Sequence, residues 1–175
     1  MHDATHYCTV GCVKQPSVTR ITDVLKRDYD GQNCSIARTL ELIGERWTLL
    51  IIRDAFLGVR RFEDFQSELG IARNVLSARL GRLVDEGILE KRPYHERPAR
   101  YEYRLTDKGI GLWPVLISLV KWGDKYAAPG GPPRIIEHRN CGGQVNDHLT
   151  CDRCGKPLGA RDVVARPGPG LSAAA

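Results

Sequence analysis

Four residues near the C-terminus of this 175-residue chain have the types and spacing of a metal centre: His138, Cys141, Cys151 and Cys154. His138 and Cys141 are separated by two residues, as are Cys151 and Cys154, and glycine follows each second ligand. Tetrahedral zinc takes four such ligands, the two-residue spacing wraps both donors around one ion, and glycine permits the positive φ that turns backbone amides toward sulfur. The pattern predicts one structural zinc per chain in a zinc-ribbon-like module, with no open position for water. A module of about 20 residues has too little core to fold alone, so the metal supplies the missing stability. His148 is an alternative fourth ligand, and the competing readings are free thiols or a thiol–disulfide redox protein using Cys151 and Cys154.

A second set of residues could read a polyanion. Between 72 and 87 the chain places Leu76, Leu80, Leu83 and Val84 on one helical face, which turns Arg73, Asn74, Ser77 and Ala78 outward. An arginine grips guanine bidentately and an asparagine does the same for adenine, so Arg73 and Asn74 are the expected base readers. Ser77 and Arg82 are expected to hold phosphates. Arg79 either braces a phosphate or pairs internally with the preceding helix. Arg60 and Arg61 stand at the start of a helix expected at 61–69, where outward-pointing N–H groups also favour a phosphate. Arg97 and Arg100 mark the tip of a hairpin expected at 88–106, and such tips straddle the backbone or enter the minor groove. The bland reading of each of these charges is a solvated surface.

The elements that must position these residues follow from periodicity and punctuation. A short helix is expected at 35–43 and a buried one at 46–57, split by Gly44. Two short helices joined by a tight turn at Gly70 make a helix-turn-helix, and the basic hairpin that follows makes it a winged one. A longer helix is expected at 106–127, with Thr106 as its N-cap and Pro114 forcing a kink or a late start. The fold class is therefore mainly α with a small β-hairpin, a winged helix-turn-helix domain plus the C-terminal module. The expected divisions are an N-terminal arm at 1–32, the winged domain at 33–127, a linker at 128–137, the module at 138–160 and a disordered tail at 161–175.

Composition permits a nucleic-acid partner without demanding one: 26 Lys and Arg against 21 Asp and Glu give a net charge of +5. No run approaches the roughly 18 apolar residues of a membrane span, and the first residues lack an apolar signal core, so a cytoplasmic protein is expected. In that compartment the six cysteines should be thiols or metal ligands. Cys34 opens the first clear helix, a setting that raises thiol reactivity, although most free cysteines are small buried apolar residues. Cys8 and Cys12 suit an inter-chain disulfide and receive no role. Trp47, Trp113 and Trp122 read as core and dimer-interface residues, with Trp47 and Phe56 available to line an effector pocket.

Cys34 to Leu40 (CSIARTL), Ile43 and Gly44, Trp47 to Ile51 (WTLLI), Arg61 and Phe62 resemble the HxlR-type winged helix-turn-helix regulators of bacteria. The likeness continues through Val75, Leu76, Arg79, Leu80, Leu83, Gly87 to Leu89, Tyr101 to Tyr103, Leu105, Thr106, Lys108 and Gly109. It implies a non-enzymatic DNA-binding transcriptional regulator, usually dimeric, whose N-terminal and last long helices pair with those of a partner. It also implies that a cysteine at the position of Cys34 can sense oxidants or electrophiles. The expected assembly is a homodimer on double-stranded, pseudo-palindromic DNA, with recognition helices about 34–36 Å apart, and a small-molecule effector as a further partner. A winged-helix module that binds only protein is the rival.

Overall fold

Apolar residues at helical spacing assemble the first core, as the computed structural model shows; it describes Tyr29 and residues 33–173. The expected N-terminal arm, with Cys8 and Cys12, lies outside the described residues apart from Tyr29. Helix α1 spans Ser35–Ile43, α2 Thr48–Phe56, α3 Phe62–Leu69 and α4 Arg73–Asp85. Ile51, Ile52, Phe65, Leu76, Leu80, Leu83 and Leu89 are essentially inaccessible to solvent and pack as one cluster. Burial of each such side chain contributes about 1.5–3 kcal/mol relative to exposure. Gly70 closes α3 at φ 60°, and Gly87 follows α4 at φ 65°, both in the left-handed region that glycine enters without strain.

The wing is the antiparallel pair β1 (Leu89–Glu96) and β2 (Ala99–Leu105). Its register slips between Pro93 and His95, so Tyr94 has no cross-strand partner; proline cannot donate to the ladder, and a bulge absorbs the extra residue. Residue 61 bridges Glu102, and the Tyr103 amide donates to the Arg60 carbonyl at 2.8 Å, which fastens the wing to the start of α3.

The long helix expected at 106–127 is two helices: α5 (Asp107–Ile110) and α6 (Trp113–Tyr126). Pro114 occupies the first turn of α6, where its missing N–H costs nothing, so the late start is the form adopted. Thr106 caps α5 by accepting from the Gly109 amide at 3.1 Å. Gly109 itself lies against the wing root: a Cβ there would stand 2.3 Å from the Ile88 carbonyl oxygen.

The C-terminal boundaries differ from those drawn from sequence. Residues in the expected linker form β3 (Arg134–His138), and residues in the expected disordered tail form β4 (Val163–Pro167), which pairs with β3 antiparallel. A 3-10 turn at Pro169–Ala173 follows. The pairing satisfies backbone groups that an isolated tail would leave to water, and Val163 is buried beneath it. The module is thus wider than 138–160, with the metal-ligand loops held between its two strands. It packs on α6: Trp113 and Ile117 share a second core with Val145, Cys151, Leu158 and Val163, and Phe56 touches both cores. Among the described residues no helix is long and apolar enough to cross a membrane.

Candidate nucleic-acid interface and metal centre

Helix α4 is amphipathic in the sense expected. Leu76, Leu80 and Leu83 face inward, while Arg73, Asn74, Ser77 and Ala78 are all exposed. The Arg73 guanidinium lies over the Phe62 ring of α3, 4.8 Å from its centroid. Beside it runs a groove of about 540 Å³ between α3, the start of α4 and the wing, lined by Arg61, Arg73, Lys91 and Arg100. Tyr94, displaced by the bulge, lies under the Arg61 guanidinium at 5.0 Å, and Tyr101 lies under the Lys91 ammonium at 4.3 Å. Such cation–π contacts hold flexible basic heads in place while leaving their donors open. Arg97 and Pro98 form the turn at the wing tip, and Arg97 and Arg100 are exposed.

Three of the basic residues weighed from sequence lie elsewhere. Arg82, expected on a phosphate, instead donates to the backbone carbonyl of Glu41 in α1. Arg79 forms an ion pair with Glu45 at 2.7 Å; the internal pairing is realised, but with the α1–α2 turn and not with α3. Arg60 and Arg61 are adjacent in an extended segment and so face opposite sides of the wing. Arg61 lines the groove beside α4, whereas Arg60 lines a cavity on the far side.

The four metal-ligand residues converge. Their donor atoms all lie within 4.8 Å of one another. His138 Nδ1 is 3.2 Å from Cys141 Sγ and 3.4 Å from Cys154 Sγ, and Cys141 Sγ is 3.4 Å from Cys151 Sγ. A tetrahedral ion at about 2.3 Å from each sulfur needs donors between 3 and 4 Å apart, and these three separations fall in that range. Gly142 and Gly155 adopt φ 70° and 71°, the turns expected after each second ligand. Burial pushes the Cys151 thiol up, but the backbone amides of Cys154 and Arg153, with Cys141 and His138, more than offset it and bring it down to about 6. That favours the thiolate a metal requires. His148 is exposed and outside the cluster, so His138 is the histidine placed to bind. Sequence reasoning missed that Cys151 is also a core residue, only 1% exposed.

Cys34 is the N-cap of α1 and is exposed. Trp113 is core, as expected, whereas Trp122 is 63% exposed. Trp47 packs against the first core and does not share the cavity that Phe56 lines.

Residues 42–130 match the HxlR-like helix-turn-helix family. The uncharacterized HTH-type transcriptional regulator Rv3095 of Mycobacterium tuberculosis is 46% identical over 150 residues, covering 85% of this chain and 94% of its own. A match that long reaches into the C-terminal module. The crystal structure of PA1607, a candidate transcription factor, superposes with a TM-score of 0.62 at 41% identity, over 75% of this chain and 93% of that one. The oxidized form of the redox regulator HypR gives a TM-score of 0.50 at 30% identity, over 53% of this chain and 96% of that one. These matches and the winged-helix geometry agree: the chain belongs to the HxlR-like helix-turn-helix family of DNA-binding transcriptional regulators.

Proposed function

We propose that the protein is a homodimeric, sequence-specific DNA-binding regulator, with one zinc ion per chain holding its C-terminal module and Cys34 as an oxidant-responsive thiol. The observation that supports the DNA reading best is the exposed set Arg73, Asn74 and Ser77 opening onto a groove lined by Arg61, Lys91 and Arg100. Arg73 and Asn74 read bases, Ser77 and Arg61 hold phosphates, and Arg97 and Arg100 take the wing to the backbone or minor groove. Arg60 and Arg82 are left out of that set because of where their side chains lie. Genomic footprinting followed by gel shifts at two salt concentrations tests the reading. A module that binds only protein gives no salt-dependent duplex shift.

Dimerisation is supported by apolar side chains left uncovered on two helices: Ile36 and Leu40 on α1, and Leu119, Trp122 and Tyr126 on α6. An apolar face of that kind marks an association surface. The substitution Trp122→Glu places a charge in its middle and is expected to convert the dimer to monomer in sedimentation velocity. An unchanged sedimentation coefficient would locate the interface elsewhere.

Zinc is favoured over a two-cysteine redox pair because His138 and Cys141 complete a four-donor set that a redox pair does not need. For Cys34, the expected result is that peroxide changes duplex affinity several-fold in the wild type and leaves Cys34→Ser unaffected. An equal change in both proteins would transfer the response to other thiols, and zinc release measured alongside would identify the metal cysteines.

A further inference from the structure

The face of the wing turned away from α4 holds a second cavity, of about 450 Å³. That is the size of a small-molecule site. Its walls come from three parts of the chain. The wing contributes Arg92 and Arg104, with Glu90 as the one carboxylate, the α2–α3 connection contributes Arg60, and the C-terminal module contributes Ala160 and Arg161. Phe56 and Ile110 supply an apolar floor.

The arginines are not equally engaged. Arg92 is paired with Glu90 at 2.6 Å and Arg104 with Glu102 at 2.7 Å. Arg161 approaches Asp107 only at 3.7 Å, with both side chains highly exposed, a geometry in which the pair contributes little. Arg60 is half-buried and has no ion pair or side-chain hydrogen bond among the described residues. Two guanidiniums, one without an ion pair among the described residues and one loosely held, line the same cavity as Phe56 and Ile110. A guanidinium fork accepts two oxygens of a carboxylate or phosphate, and the floor accepts a flat apolar body.

We propose that this cavity is a binding site for a small organic anion, a carboxylate or phosphate monoester on an apolar body, gripped by Arg60 and Arg161. The occupant would join the wing root to the C-terminal module, so it would act as an effector if the DNA-binding reading holds; its binding is measured independently of that reading. A duplex phosphate is the alternative occupant. The small anion is favoured because residues of the module join the wing in lining the site, which lies across the wing from the Arg61–Arg73 groove.

The test is calorimetric titration of the full chain with phenyl phosphate and with benzoate, at about 0.15 M salt so that diffuse attraction is screened. One saturable site per chain is expected, and the stronger of the two probes identifies the head group. Arg60→Gln and Arg161→Gln should each weaken binding roughly tenfold or more, the scale of a lost charged hydrogen bond. Arg38→Gln removes the same charge from α1 and should leave binding unchanged. Arg161 is highly exposed, so its variant tests the site even if Arg60→Gln folds poorly. Absence of saturable binding by both probes overturns the proposal, as does wild-type affinity retained in both cavity variants. Loss of duplex affinity in Arg60→Gln with probe binding intact would also overturn it, by making Arg60 a DNA-backbone contact.

Discussion

Removing the metal, by a strong chelator or by Cys151→Ser, is expected to unfold the C-terminal module while the winged-helix core stays folded. Cys151 is at once one of the four candidate metal donors and a member of the second core, in a cluster that includes Trp113, Ile117, Val145, Leu158 and Val163. The module contributes few large buried side chains to that core, too few to order two strands and their loops. Structural zinc is worth about 10–16 kcal/mol in isolated zinc-finger peptides near neutral pH, far more than a module of this size could lose and remain folded. The first core has its own inaccessible set from Ile51 to Leu89 and does not include the ligands. Zinc content should therefore fall from one per chain to near none, and a protease should cleave within residues 134–167 while residues 42–130 survive. Conversely, a Cys151→Ser protein that keeps its zinc and its protease resistance would show that the four donors do not hold the module.

The same double role of Cys151 shows where sequence reading stops. The order and type of the winged-helix elements were legible because each carries a strong local signal: leucines at helical spacing along α4, glycine after α3 and after α4, Thr106 as a cap. The convergence of the four candidate donors was legible because metal geometry imposes spacing. The strands that frame them were not, because β3 and β4 are five residues each and adjoin proline-rich stretches that resemble linker and tail. Ile135 and Ile136, with Val163 and Val164, were the signal available, since paired β-branched residues favour strands. The fates of Arg60, Arg79 and Arg82 depended on long-range packing. A helical wheel shows which side of α4 is polar, but not that Glu41 and Glu45 lie across its back. Likewise, the adjacent Arg60 and Arg61 separate only because that segment is extended and bridged to the wing.

Arg73→Ala and Asn74→Ala are expected to weaken operator binding by about 1–3 kcal/mol each and to relax discrimination at one base pair each. Both side chains leave the first turn of α4, the part of a recognition helix that reaches base edges, and both are exposed. The stacking of Arg73 on Phe62 holds its guanidinium near one position, so fewer rotamers are lost when it meets a base. Arg100→Ala should behave differently. Its side chain lines the groove from the wing and meets the phosphate backbone in the proposed complex, so its loss should weaken binding to every duplex alike. The slope of log affinity against log salt should then fall in magnitude by about 0.9 for each phosphate contact removed. The two patterns separate base reading from backbone attraction within one set of titrations. If Arg73→Ala reduced the salt slope and left base preference intact, Arg73 would be a phosphate contact, and sequence would have to be read by Asn74 and Ser77 alone.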